Sequence, residues 1–178
     1  YPRKIPTPVA WDPPPPQGWV CVSTSGSVKQ PGSTAAGGGV IRDWTRKCKG
    51  AFVVNLGRCT ITRAEIMAAI RGLQIAWRAG FRKVHLQLDS MTAITILTSP
   101  DQTEHRYHNL IQQFKRLLQH NWEIRISHIF REGNKVVDFL ANKGHAARIG
   151  FHDFDITDPG LSFRLLYDSL GIAQTRLI

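Results

Sequence analysis

Three acids stand where their neighbours make an ionised side chain expensive. Glu65 lies in "TRAEIMAAIRGL" among Ala64, Ala68 and Ala69. Asp89 ends the alternating run "KVHLQLD", and Asp138 sits between Val137 and Phe139 in "VVDFLANKGHA". A carboxylate on an apolar side costs free energy unless a cation or donors meet it. Each acid also has an ordinary role open to it: Glu65 closes a capping box with Thr62, Asp89 caps the helix that follows, and Asp138 is a solvated helical acid. Brought together, three carboxylates repel one another unless divalent cations offset them, and an all-oxygen ligand set suits Mg²⁺ or Mn²⁺. Two such ions about 4 Å apart activate a water and stabilise the leaving oxygen of a phosphodiester, which is hydrolysis by in-line displacement. A fourth position, Ser25 in "VCVSTSGSV", ends a buried strand with a hydroxyl just before Gly26.

Whether the acids meet depends on the elements that carry them. "GWVCVST", "GGVIRDW" and "AFVVNLG" are short β-branched or aromatic runs separated by Gly, Pro, Lys and Ser, which predicts a three-strand meander. From Thr62 to Ala79 the spacing of Ala69, Leu73, Ala76 and Trp77 predicts a helix capped by Thr62 and closed by Gly80. A strand ending at Asp89 follows, then a short helix over Ser90 to Leu97. A longer helix, about Thr103 to His120, carries Leu110, Ile111, Phe114, Leu117 and Leu118 as its apolar stripe. "WEIRISHIF" reads as a fifth strand, "REGNK" as a loop and "VVDFLANKGHA" as the last helix. The order βββαβααβα makes an α/β fold, a five-stranded mixed sheet with helices on both faces. Right-handed crossovers place the first strand centrally, parallel to the fourth and fifth. Ligands of such sheets gather outside the carboxyl ends of the parallel strands, where Ser25 and Asp89 both fall.

Composition points to a partner for this chemistry. The chain has 178 residues, 42% of them apolar, enough for one sizeable core over residues 18–146. Residues 1–17 contain seven prolines and read as an extended linker with Trp11 as a possible pin, and residues 147–178 read as a C-terminal extension. A first residue other than Met suggests a piece of a longer chain. The formal charge of +10 favours a polyanionic partner over an acidic ligand pocket, although a solvated basic face would also account for it. Cys21, Cys48 and Cys59 lack the paired spacing of a disulfide framework or zinc site, which fits a reducing, intracellular setting in cytoplasm or nucleus. No apolar run approaches the roughly 20 residues that span a bilayer, so no membrane partner is expected.

Taken together, "TSGS", "GGVIRD", "TRAEIMAAIRGL", "LQLDSMTAI" and "HIFREGNKVVDFLAN" resemble ribonuclease H over about Trp19 to Ala146. "GGVIRD" and "REGNKVVDFLAN" are similar to the domain that ends plant non-LTR retroelement reverse-transcriptase polyproteins. The resemblance implies an Asp, Glu, Asp, Asp set holding two Mg²⁺ ions (or Mn²⁺) that cut the RNA strand of an RNA/DNA hybrid. Residue by residue, the Glu falls on Glu65 and the later Asp residues on Asp89 and Asp138, while the first Asp, the one that bridges both metals, falls on Ser25. A hydroxyl there removes a charge and a ligand together, so metal binding is weakened and the chain is expected to fold and bind hybrid while cutting it poorly. Asp43 is the nearest stand-in, at the end of the second strand, and is not expected to compensate.

The resemblance also implies that His128, ten residues before Asp138, assists turnover; its place within a strand equally suits a structural histidine. Gly26, Ser27, Thr62 and Arg63 match positions that approach RNA, and Ser90 and Thr92 head a helix that can bind a DNA phosphate. Asn134 would touch the scissile phosphate or a water beside it, although loop capping alone would also explain it. Arg131 would meet a phosphate, and the basic stretch Arg42, Arg46, Lys47 and Lys49 would add attraction. The chain lacks the separate basic protrusion helix of some cellular relatives, so grip would depend on other domains of the polyprotein, with the domain itself monomeric. Two alternatives stay open: a module that binds hybrid or duplex RNA without cutting, and an integrase or exonuclease on the same fold.

Overall fold

The computed structural model describes residues 7–9, 14–30, 32, 34–99, 106–169 and 174–176. Most of the Pro-rich stretch, Trp11 and the predicted helix start at Thr103 lie outside them. In chain order the elements are β1 (Thr7–Val9), β2 (Val20–Lys29), β3 (Thr34–Asp43), β4 (Cys48–Arg58), α1 (Ile61–Arg78), β5 (Lys83–Leu88), α2 (Met91–Thr98), α3 (His108–Leu118), β6 (Glu123–His128), a 3₁₀ turn (Arg131–Gly133), α4 (Lys135–Ala146), β7 (Gly150–Asp153), α5 (Pro159–Ser169) and β8 (Gln174–Arg176).

The main sheet has the order β6-β5-β2-β3-β4-β7, with β2 central and parallel to β5, and β5 parallel to β6. It has six strands rather than the expected five. The addition comes from the C-terminal extension: β7 pairs antiparallel with β4 from Phe52↔Asp153 to Asn55↔Gly150. β1 and β8 form a separate two-stranded ribbon.

Alternation along the strands divides the core between two faces. Val20 and Val22 of β2, Ile41 of β3 and Val84, Leu86 and Leu88 of β5 pack against α1, α2 and α3. Val40, Ala51 and Val53 face the other way, against Val136, Val137 and Leu140 of α4 and Leu161 of α5. Two glycines let the helices come close enough to deliver their acids. A Cβ on Gly26 would lie 2.9 Å from the backbone N of Glu65, and one on Gly38 would lie 2.7 Å from the Leu140 Cβ. The sheet is therefore flush against the first turn of α1 and the middle of α4.

Two local expectations change. Thr60, not Thr62, caps α1, its hydroxyl accepting from the Arg63 N–H at 3.1 Å. The helix thus begins at Ile61, and Glu65 turns inward instead of closing a capping box. Arg42 is not part of a basic binding surface: it is 1% exposed and its Nη1 donates to Asp168 of α5 at 2.9 Å. Asp43, beside it, accepts from the N–H groups of Thr45 and Lys47 and closes the β3–β4 turn. It pairs with Val20 at the start of β2, whereas Ser25 pairs with Gly38 towards the other end.

Candidate active site

Ser25, Glu65, Asp89 and Asp138 come from four elements but converge where β5 ends. The strand expected to stop at Ser25 instead runs on to Lys29 because its pairing with β3 continues, so Ser25 lies within β2, one residue past the parallel pairing with β5. Ser25 is buried and its hydroxyl donates to the Asp89 carboxylate at 3.1 Å. Asp89 follows β5 directly, so the parallel pairing of β2 with β5 brings the two together. Ser90, rather than Asp89, caps α2, accepting from the Ala93 N–H at 3.0 Å, and this leaves the Asp89 carboxylate turned to the site. Glu65 is 6% exposed; the Gly26 N–H donates to its carboxylate, while its Oε2 is buried without a hydrogen-bond partner. Asp138 lies in the first turn of α4, half-buried, with Arg131 Nε 3.5 Å from its Oδ2.

The electrostatics record the crowding. Burial, then repulsion from Asp89 and Asp138, pushes the Glu65 carboxyl up to about 9. Burial also raises Asp89, against the opposing pull of the Ser25 hydroxyl and Arg131. Asp138 is raised by burial and, more weakly, by Asp89, with Arg131 opposing. Three neighbouring acids whose carboxyls are all raised form a site short of positive charge. Arg131 acts on all three, but its side chain is 73% exposed and supplies only a screened charge.

Among the described residues, no three His, Cys, Asp or Glu side chains stand together as a closed metal-binding group. The three acids expected to share metals are within electrostatic reach but do not form a cage. Between them Ser25 supplies a neutral hydroxyl that donates to Asp89, not a further carboxylate. An open arrangement still fits Mg²⁺, which keeps several waters and commonly rests on one or two carboxylates plus phosphate oxygens of its substrate. The orphaned Glu65 Oε2 and the raised pKa values are what such an ion would relieve.

The remaining candidates fall around this centre. Asn134 is 1% exposed; it sits close enough to Asp89 to favour its ionised form, yet neither amide atom makes a hydrogen bond of good geometry. His128 is the last residue of β6, and its Nε2 lies 3.1 Å from the Asp89 carbonyl. A carbonyl only accepts, so this nitrogen carries a proton and the ring braces the β5–α2 junction. Gly26 is buried beneath α1, and Ser27 next to it is half-buried. Thr62 and Arg63 stand on the first turn of α1 and Thr92 on that of α2, with Arg63 and Thr92 exposed. His145 was not foreseen: its Nε2 is 3.0 Å from the Ser27 hydroxyl. In sequence it is only a histidine in the last turn of a helix, a position the helix dipole alone explains.

A family model described as reverse transcriptase-like matches residues 23–144, which takes in Ser25, Glu65, Asp89 and Asp138. The chain belongs to this family and is a ribonuclease H-like domain. It is 35% identical over 161 residues to an Arabidopsis thaliana protein named as a candidate ribonuclease H, a match covering 90% of this chain and 26% of that one. The chain thus spans about a quarter of that relative. Among solved structures it is similar to RNase H1 of the halophilic archaeon Halobacterium salinarum, at 26% identity and a TM-score of 0.65, covering 71% of this chain and 96% of that one. It also shares the fold of LC11-RNase H1, solved in complex with an RNA/DNA hybrid, at 20% identity and a TM-score of 0.62, over 71% and 96% of the two chains. Among the described residues of this ribonuclease H-like domain, no helix is long and apolar enough to cross a membrane.

Proposed function

We propose that this domain binds RNA/DNA hybrids and has the site of an endonucleolytic, two-metal ribonuclease H in which Ser25 strongly impairs cleavage. The observation that carries this reading is the Ser25 Oγ–Asp89 Oδ2 hydrogen bond beside the orphaned Glu65 Oε2, a neutral hydroxyl at the corner where the resemblance puts a carboxylate. Glu65 and Asp89 on one side, and Asp89 and Asp138 on the other, would hold divalent ions. Bound there, Mg²⁺ or Mn²⁺ supplies an activated water and neutralises charge on the leaving oxygen. The chain's own residues do the rest. Arg131 and the unpartnered Asn134 amide face the phosphate, and the Ser27, Thr62 and Arg63 surface meets the RNA strand. The N-terminal end of α2, with Ser90 and Thr92, meets the DNA backbone.

Hybrid cleavage with Mg²⁺ by this chain and by Ser25→Asp, side by side, tests the reading. The substitution replaces a donor to Asp89 with a fourth ligand and is expected to raise the rate on the order of 100-fold or more. Parent cleavage as fast as that of the Asp variant would refute the impairment, and no gain in the variant would favour a non-catalytic module that binds hybrid or duplex RNA. The quarter-length match to a longer relative supports work alongside other domains of a reverse-transcriptase-type polyprotein, and three cysteines without paired spacing support an intracellular setting.

A further inference from the structure

The hydrogen bond between His145 and Ser27 joins the last turn of α4 to the end of β2, 118 residues apart in sequence and two residues from Ser25. Neither side chain needs the other for folding: both are half-buried, and each would find water if the partner were removed. What the pair fixes is direction. A serine hydroxyl rotates freely and can donate or accept, so alone it distinguishes poorly between chemical groups. Burial and the nearby Lys29 ammonium lower the His145 pKa and favour the neutral ring, whose Nε2 accepts from Ser27 when the proton is on Nδ1. A Ser27 O–H committed to that nitrogen leaves only the oxygen lone pairs for a ligand.

We infer that His145 is a positioning residue that holds the Ser27 hydroxyl as an acceptor, so that this edge of the site selects a ribose 2′-hydroxyl, a donor, over deoxyribose. The proposal rests on the reading that the domain binds RNA/DNA hybrids. It adds a residue outside the carboxylate cluster and a reason for RNA selectivity at Ser27: deoxyribose has no donor at this carbon, and a phosphate oxygen meets only repulsion from lone pairs. The opposed terminus of α4 is held against the sheet at Gly144, whose Cβ would lie 2.7 Å from the Val54 carbonyl oxygen, so the imidazole is delivered by a fixed helix end.

The test is the ratio of affinities for a hybrid and for DNA duplex of the same sequence, measured by fluorescence anisotropy on the full chain. Ser27→Ala and His145→Phe are each expected to lower the preference for hybrid about 3- to 10-fold, the loss of one hydrogen bond. The double variant should lose no more than either single one, and His145→Gln, whose amide oxygen can accept from Ser27, should restore most of it. Hybrids with 2′-fluoro or 2′-O-methyl sugars, which accept but do not donate, should bind the parent as weakly as deoxy-substituted ones. Additive losses in the double variant, equal loss on both duplexes, or full binding of 2′-fluoro sugar would each overturn the role given to His145. A parent with no preference for hybrid would instead remove the functional reading beneath it, and thermal unfolding of each variant identifies any that fail to fold.

Discussion

Replacing Glu65 with Gln should stabilise the metal-free domain, and by an amount that grows with pH. The folded-state carboxyl titrates at about 9 against an ordinary 4.5, because the folded site disfavours the charge. A group raised on folding contributes its full stability below the unfolded pKa and loses it as pH climbs towards the folded one. Between pH 4.5 and 7 the unfolded chain releases the proton while the folded chain keeps it, at about 1.4 kcal/mol per pH unit, or up to about 3 kcal/mol at pH 7. Gln keeps an acceptor for the Gly26 N–H and carries no proton to hold. Thermal unfolding in EDTA should then show a difference near zero at pH 4.5, and on the order of 5–10 °C in favour of Glu65→Gln at pH 7. Excess Mg²⁺ at pH 8 should raise the parent's Tm more than the variant's, since the parent adds a third carboxylate to those of Asp89 and Asp138. A difference that does not vary between pH 4.5 and 8, or a parent more stable than the variant at pH 8 in EDTA, would refute a buried, proton-holding carboxylate at this position.

Three further outcomes follow from the packing and charge. Asp168→Ala removes the carboxylate paired with the buried Arg42 guanidinium and should cost about 3 kcal/mol in urea unfolding; a loss below about 0.5 kcal/mol would mean that this ion pair contributes little to stability. Gly38→Ala drives a methyl into Leu140 and should cost about 1–3 kcal/mol while displacing α4 and Asp138, visible as weaker Mg²⁺-dependent stabilisation. Hybrid affinity should fall steeply with salt, and Arg63→Ala and Arg131→Ala should each flatten the logarithmic slope by about one, whereas Lys47→Ala, on the β3–β4 turn at the other end of β3, should leave it unchanged.

The main strands and helices were legible because their patterns are strong: β2 opens on the apolar, β-branched "VCV", and α3 buries Leu110, Ile111, Phe114 and Leu117 as its spacing requires. The sheet order followed from connection rules, and with it the meeting of Ser25 and Asp89. What stayed hidden was set by tertiary contact. β7, "GFHD", is four residues with no hydrophobic alternation, and only the free edge of β4 makes it a strand. Thr60 and Thr62 compete as caps two residues apart, and the hydrogen bond from the Arg63 N–H goes to Thr60. Arg42 looked like one more surface cation because its partner Asp168 lies 126 residues away. The burial of Asn134 and the pairing of His145 with Ser27 are likewise long-range facts that no local pattern announces.

The pairing of β7 with β4 also governs where the chain can be cut. A domain ended at Ala146, the limit of the catalytic-type motifs, would leave β4 paired with β3 on one side only, with the backbone groups of Phe52 to Asn55 that face β7 unpaired and Val53 and Val54 beside them. A bare, apolar strand edge of that kind is a template for another chain. The opposite border of the sheet, β6, carries Glu123 and Arg125 exposed along it, charges of the sort that discourage such pairing. The short strand at Gly150–Asp153 therefore acts as a guard against self-association, and proteins made without it should precipitate even where the site itself is complete.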